Sequence, residues 1–580
     1  MRRPHTSKKW NVLASDPQAE SLFQKEFDLH PFAARILVQR GIATIDEAHR
    51  FLNPSLDDLH DPMLLPDIEL ACERLKTALA NKEKILVHGD YDCDGVTSAA
   101  LWTRCLKTLG ADVEVFVPHR KRDGYDIRVP IIEEAQQRGV KLIITTDCGI
   151  QRTAEVEHAR SFGIDVIITD HHTPHTDGSL PKAIAVVNPH RKDSLYPYSD
   201  LAGVGVAFKT CEALLRSLGQ KVSAYRQGYL DLVAIGTIAD MMPLTGENRV
   251  IARFGLERLK ETKKPGLRAI LHHAGYDEKA VDSRAIGYQI GPRLNSAGRI
   301  DEARVALEVL LTKDEAEGDR LARRLEELNI TRREEMDRLV EEAVAQAAQQ
   351  DMADVRCLVV SGVNWTGGIV GLVAGRLKER YNRPAIAISI NEATGECKGS
   401  ARSIPGFNIH GAIDACRDLL QEFGGHPMAA GLSLQHDNLA DFSSQINRFA
   451  GQTLSEEDFL PAIEVAIEAS PESVNERLLD QIAWMEPFGN GNPAPMFISP
   501  GARIKEVIPM KENKHLKLRI EADGANRFNS VDAIWWNRGD LAEGLSAGGS
   551  LDICYRPEFN LWKNFRNIQF MIEDVRAPEW

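Results

Sequence analysis

Short apolar runs alternate with amphipathic stretches through the first half of this 580-residue chain. Residues 85–88, 113–117, 142–146, 166–169 and 184–187 are continuous β-prone runs of the kind that form strands buried on both faces. Between them, 96–109, 131–138, 153–162 and 204–218 carry apolar residues at helical spacing. Alternation this regular predicts an α/β domain with a doubly wound parallel sheet, placed at 66–312. Ahead of it, residues 1–65 read as a helical lead-in. Its segment from Phe32 to Gly41 is amphipathic, is closed by the glycine, and is expected to pack on the next domain.

The pattern changes twice more. Residues 313–350 are highly charged, with Leu321, Leu325 and Leu328 at helical spacing. Glutamates are interspersed with Arg320, Arg323, Arg324, Arg332 and Arg333, so half of these arginines are expected to be i,i+4 partners. Residues 351–455 return to α/β alternation, with strands at 357–360 and 385–390 around a helix at 367–377. Residues 456–580 hold short β-prone runs at 516–520, 533–536 and 551–555, and four of the eight tryptophans lie in 535–580. A small OB-like β-barrel with exposed aromatics and basic residues fits this stretch, and strand alternation buries either Trp535 or Trp536.

Composition narrows the class. A chain of this length holds about three to four domains, and 43% hydrophobic with 27% charged residues is ordinary for globular proteins. No apolar run approaches the roughly 20 residues of a membrane span, and the basic start has no apolar core behind it as a signal peptide would. Nine scattered cysteines without a Cys-x-x-Cys pair fit a reducing compartment, so the cytoplasm is expected. The net charge of −14 argues against nucleic acid as a partner unless the basic residues cluster on one face.

Chemistry concentrates where strands end. The first strand runs into His88-Gly89-Asp90-Tyr91-Asp92-Cys93-Asp94-Gly95, whose aspartates repel one another unless paired. An Asx-rich helix cap is the plain alternative; an EF-hand is a weaker one still, because the Gly and distal Glu are missing from their offsets. The next strand ends deliver Asp147 and then Asp170-His171-His172, and Asp240 closes the apolar run 232–239. In doubly wound sheets ligands bind beyond the carboxyl ends of the strands, so these groups converge. Carboxylates with a minority of imidazoles and no thiolate suit Mg²⁺ or Mn²⁺, and five or six ligands suit two ions sharing a carboxylate, able to activate water and hold a phosphoryl oxygen. Farther on, Ser400-Ala401-Arg402-Ser403 reads as a polar turn after a glycine, suited to cradling a phosphate. His426, between a Gly pair and Pro427, cannot lie inside a helix.

These motifs match a known pattern. His88–Gly95, Thr146-Asp147-Cys148-Gly149-Ile150, Asp170-His171-His172 and Ala239-Asp240-Met241-Met242-Pro243-Leu244 resemble the four signature motifs of the DHH phosphoesterase superfamily. The stretches 291–300 and 424–431 are similar to its RecJ branch, the latter within what the family calls the DHHA1 domain. The resemblance implies a DHH catalytic domain, a linker helix bridging to DHHA1, an OB-fold at 456–580, and a nuclease that degrades single-stranded DNA from its 5′ end in recombination and repair. By position it implies one Mn²⁺ or Mg²⁺ on His88, Asp92 and Asp147 and a second on Asp94, Asp147, His171 and Asp240. Asp90 and His172 would orient ligands or substrate, and His426 would stand over the scissile phosphate. Arg299 with Ser400, Arg402 and Ser403 would take the 5′-phosphate, and the basic loop of Arg120 and Arg122 would face DNA. That loop departs from the family's Gly-Tyr-Gly ending: Asp126 replaces the last glycine, which leaves its geometry open. Action as a monomer, with single-strand-binding protein as a partner, is also expected. Alternatives are a phosphodiesterase of the same superfamily cutting short oligonucleotides or cyclic dinucleotides, and an inactive DHH scaffold.

Overall fold

The computed structural model describes residues 8–120, 122–276, 280–300, 303–523, 529–562 and 565–577. Expectations that touch residues 1–7, Lys121, Trp580 and the Trp562 side chain lie outside what is described. The chain divides into two compact units: Ser55–Leu454 with Gly489–Gly491, and the described residues up to Pro54 together with Ser455–Phe488 and those from Asn492 onward.

In the first unit, strands Asp112–Phe116, Lys84–Gly89, Val140–Thr146, Asp165–Thr169 and Ala185–Val187 lie side by side in that order, every pair parallel. The apolar runs are continuous because both faces are covered. Ile85, Val87, Leu142 and Ile144 pack with helices Cys93–Thr108 and Gly203–Ser217, whereas Leu86, Ile143 and Ile168 pack with Val129–Gln137 and Thr153–Ser161. The chain leaves Lys84–Gly89 toward one edge and returns on its other side at Val140–Thr146. The two therefore flank the topological switch point, where such sheets open a crevice at their carboxyl ends.

Helix Glu315–Ala347 is 33 residues long, about 50 Å at helical rise. Leu321, Leu325 and Leu328 join the core beneath the parallel sheet, and Met336, Leu339 and Ala343 join the core of the following domain, so one helix seats both. Arg320, Arg323, Arg324 and Arg333 are paired with Glu317, Asp319, Glu327 and Glu326, while Arg332 donates to Asn329.

That following domain is a mixed sheet in the order Leu420–His426, Ala429–Gln435, Glu396–Arg402, Ala385–Ile390, Leu358–Val363, with only the last pair parallel. The polar turn expected at 400–403 is corrected: Ser400, Ala401 and Arg402 are strand residues paired on both sides. Gly399 is there for close packing rather than for a turn, since a Cβ would come within 3.0 Å of Ile388 and 3.2 Å of Leu432. His426 ends its strand opposite Ala429, with Pro427 and Met428 forming the turn between them.

In the second unit, Phe497–Met510, His515–Glu521, Ser530–Trp535, Phe565–Arg576 and Ser550–Trp562 pair in sequence, and the last pairs back with the first. The result is a closed five-stranded barrel. Trp535 is buried and Trp536 is 48% exposed, as alternation requires. The lead-in packs as expected only at its end, where Leu59 and Leu65 join the core of the parallel-sheet domain; the part before Pro54 does not. Strand Lys9–Val12 pairs with Ala462–Val465, and Phe23, Ile36 and Leu37 share one core with Phe497, Tyr555 and Phe570 of the barrel. Amphipathic periodicity shows that the 31–39 helix has a face to bury but not which sheet receives it.

Candidate metal centre and phosphate groove

Each acidic group is fixed by the backbone that delivers it. Asp92 caps helix Cys93–Thr108, its Oδ1 accepting from the Gly95 amide at 3.0 Å. Both oxygens of Asp94 accept from the amides opening helix Gly203–Ser217, Gly203 at 2.7 Å and Val204 at 2.9 Å. Asp147 leaves its strand at φ 62°, a left-handed conformation costly for a non-glycine residue, with its amide donating to Thr169 O at 3.0 Å. Asp170 is fully engaged: it accepts from the amides of Ile150, His171 and His172 and from His172 Nδ1 at 2.8 Å. It buttresses the histidines and is not itself a ligand candidate.

These groups meet in one place. His171 Nε2 lies 3.1 Å from Asp147 Oδ1, 3.7 Å from Asp240 Oδ2 and 3.9 Å from Asp94 Oδ2. Asp90, Asp92 and Asp147 form a second focus, and Asp147 with His171 and His172 a third; within each set the candidate donor atoms lie within 4.8 Å of one another. Asp147 belongs to two of the three. His88 lies apart from these sets, wholly buried, with Nδ1 3.7 Å from Cys148 Sγ.

The electrostatics show what the cluster lacks. Burial and the neighbouring Asp92 push the Asp94 carboxyl up to about 7, and burial with Asp94 and Asp92 pushes Asp240 up to about 8. Asp90 and Asp147 are also raised, burial leading and neighbouring carboxylates adding. Burial and the adjacent His172 drive His171 down to about 3, and burial drives His88 down to about 4, so both imidazoles are neutral donors. Burial opposes charge on His172 too, but Asp170 overrides it and holds that ring up at about 10. Meanwhile His88 Nε2, Asp90 Oδ1 and Asp147 Oδ1 are buried without a hydrogen-bond partner. Asp147 Oδ1 thus has no hydrogen-bond partner although His171 Nε2 approaches it to 3.1 Å, and both atoms face common space. Oxygen-rich donors with neutral imidazoles, orphaned and mutually repelling, fit divalent Mg²⁺ or Mn²⁺.

A cationic groove lies in the same unit. Arg120, Arg299 and Ser400 line a cavity of about 610 Å³ together with His119, Gly368 and Gly424. Arg299 donates to Gly368 O at 2.9 Å; burial, Arg120 and Arg332 lower its pKa to about 10. Arg402 is likewise lowered by burial and by Arg120, and Arg120 stands over the Tyr91 ring at 5.2 Å. None of Arg120, Arg299 and Arg402 has an ion pair among the described residues, although Glu422 also lines the cavity and Asp92 acts on Arg299; the three crowd one another as cations of an anion site do.

The remaining expected site residues sit elsewhere. Arg122 pairs twice with Asp123, at 2.8 and 3.1 Å. Ser403 is buried, its hydroxyl donating to Phe407 O at 2.6 Å. His426 is exposed at its strand end and is not among the residues lining the cavity. Sequence reading passed over the glycines that make room for the cluster. A Cβ at Gly203 would fall 2.6 Å from Asp147 Cβ, and one at Gly236 would fall 2.5 Å from Thr97 Oγ1 and 2.8 Å from Asp94 Oδ1. The available signal was Gly203 and Gly205 alternating with Val204 and Val206 in the first turn of a helix.

Models of known families match three stretches of the chain: the DHH family N-terminal domain at 84–237, the DHHA1 domain at 354–452 and the RecJ OB domain at 465–574. The chain is 38% identical over 573 residues to the single-stranded-DNA-specific exonuclease RecJ of Bacillus subtilis, covering 99% of this chain and 71% of that protein. It is 32% identical over 573 residues to RecJ of Escherichia coli, covering 94% and 96%. The crystal structure of Thermus thermophilus RecJ in complex with Mn²⁺ superposes with a TM-score of 0.84 at 29% identity, covering 99% of this chain and 80% of that one. With three domain models in order and identity sustained over nearly the whole length, the chain belongs to the RecJ family.

Proposed function

We propose that this chain is a metal-dependent exonuclease that hydrolyses single-stranded DNA from the 5′ end to mononucleotides, in recombination and repair. The observation that carries the reading is the pairing, within one unit, of an orphaned carboxylate–imidazole cluster with arginines that lack carboxylate partners. Asp92, Asp94, Asp147, His171 and Asp240, with His88, would hold Mn²⁺ or Mg²⁺, which when bound would supply charge neutralisation for phosphoryl oxygens and a water made nucleophilic near neutral pH. Asp147, shared between foci, fixes their spacing. His172, kept cationic by Asp170 and 3.9 Å from Asp147 Oδ1, offers positive charge to a non-bridging phosphate oxygen. Arg120, Arg299, Arg402 and Ser400 take the 5′-phosphate, which makes the enzyme act from an end. His426 supplies a further donor to the phosphate being cut. Contacts of this kind go to backbone phosphates and read no sequence. Exposed Trp536 on the barrel suits stacking on a base of single-stranded DNA. A small-substrate phosphodiesterase is not favoured, since it needs no barrel of this kind.

The same proposal makes the protein a cytoplasmic monomer working beside single-strand-binding protein. All nine cysteines are buried and free, which supports a reducing compartment, and among the described residues no helix is long and apolar enough to cross a membrane. Asp147→Ala tests the core of the reading. It is expected to abolish cleavage while strand binding, measured by anisotropy, stays within a few-fold of wild type. Residual cleavage within tenfold of wild type would refute the shared-ligand role.

A further inference from the structure

The basic loop after strand Asp112–Phe116 ends in an anomaly. Asp126 is 3% exposed and adopts φ 70°, where a glycine would sit without strain. Its carboxylate is fully used: Oδ1 accepts from the Ile127 amide at 2.7 Å, and Oδ2 accepts from Arg152 Nε at 2.9 Å. Arg152 is the residue before helix Thr153–Ser161 and lies only five positions beyond Asp147. The loop is thus tied at its end to the segment that carries the shared aspartate.

Contacts run from this tie to both halves of the site. Tyr125, adjacent to Asp126, stands edge-on to His172 at 6.5 Å between ring centroids and to Tyr91 at 6.2 Å. Tyr91 carries Arg120 over its face at 5.2 Å. Arg120 belongs to the same loop, whose turn is closed by His119 O accepting from the Asp123 amide at 2.8 Å. One chain of contacts therefore leads from the Asp126–Arg152 pair through Tyr125 and Tyr91 to Arg120.

We infer that Asp126 and Arg152 form a lock that positions Arg120 over Tyr91 for the 5′-phosphate, doing by ion pairing what a glycine does by conformational freedom. Both are positioning residues; neither touches substrate. The inference rests on the reading of Arg120 as a 5′-phosphate ligand. A carboxylate buried at position 126 must be paired, whereas glycine at 126 needs no partner. Arg152 is therefore required only while Asp126 is present.

The test is the ratio of kcat/KM for 5′-phosphorylated over 5′-hydroxyl single strands, with Mn²⁺, in wild type, Arg152→Ala, Asp126→Gly and the double variant. General loss of structure lowers both rates and leaves the ratio unchanged. Arg152→Ala is expected to lower the ratio at least tenfold, mainly through KM on the phosphorylated strand. Asp126→Gly and the double variant are expected to stay within threefold of wild type. A wild-type ratio retained by Arg152→Ala, or a ratio still low in the double variant, would overturn the lock. Wild type without any preference for the phosphorylated end would instead refute the phosphate reading beneath it. Should Arg152→Ala fail to fold, Arg152→Lys, which keeps a charge but loses the guanidinium geometry, carries the same comparison and is expected to fall between.

Discussion

Replacing Gly203 by alanine tests how the site is built, because general rules and local geometry give opposite signs. Gly203 opens helix Gly203–Ser217, and its amide donates to Asp94 Oδ2 at 2.7 Å. In a helix, alanine is favoured over glycine by up to about 1 kcal/mol. Here, however, the new methyl would lie 2.6 Å from Asp147 Cβ and 2.7 Å from its Oδ1. Ordinary carbon contacts are about 3.5–4.0 Å, so Asp147 must retreat by roughly 1 Å. It has little freedom to do so, pinned at φ 62° with its amide bonded to Thr169 O at 3.0 Å. Overpacking of this kind costs about 1–3 kcal/mol, leaving folding slightly destabilised on balance. The larger effect falls on the metal. Disturbing groups that orient ligands weakens binding about 10–100-fold, or roughly 1.4–2.8 kcal/mol. Calorimetric titration of the metal-free protein with Mn²⁺ reads this directly, with cleavage at saturating Mn²⁺ as the companion. Gly205→Ala is the control, since a Cβ there meets Leu201 at an ordinary 3.4 Å. Wild-type Mn²⁺ affinity in Gly203→Ala would refute the claim that this glycine makes room for the shared ligand.

Other consequences follow from the same structure. Asp94 and Asp240 are raised to about 7 and about 8 without metal, so the folded metal-free protein holds protons that the unfolded chain has released above about pH 4. Its stability must fall as pH rises toward 8, and saturating Mn²⁺ must flatten the trend; thermal melts across this range check it, and a metal-free melting temperature that climbs with pH contradicts it. Trp536→Ala is expected to weaken single-strand binding by about 1–3 kcal/mol with little change in melting. Trp535→Ala, buried among the barrel strands, is expected to destabilise the fold by about 3–5 kcal/mol. Leu325→Ala, fully buried on the bridging helix, is expected to cost about 2–5 kcal/mol in denaturant unfolding.

Much of the catalytic unit was legible because its strands are buried on both faces. The runs at 85–88, 142–146 and 166–169 are apolar without interruption, and only their carboxyl ends turn polar. Each polar residue after such a run therefore named its own location, and topology gathered His171, Asp94, Asp147 and Asp240 around one point. The strand at 396–402 was harder to read. It reads Glu-Cys-Lys-Gly-Ser-Ala-Arg, with no β-branched or aromatic residue, and Gly399 reads as punctuation when its real constraint is the closeness of Ile388 and Leu432. The partner of the lead-in was not legible at all, since an amphipathic face is silent about which sheet covers it. Asp126 lies between these cases. The departure from the glycine pattern was visible, but only the structure shows Arg152 holding the backbone where glycine would have rested.

The central claim is tested most directly by offering the protein four substrates with Mn²⁺ and with chelator: 5′-phosphorylated and 5′-hydroxyl single strands of about forty nucleotides, the matched duplex, and a dinucleotide. Mononucleotides released from the 5′ end of the long single strand, only with metal and with the duplex spared, are the predicted result. Cleavage confined to the dinucleotide, or metal-independent release, would contradict it.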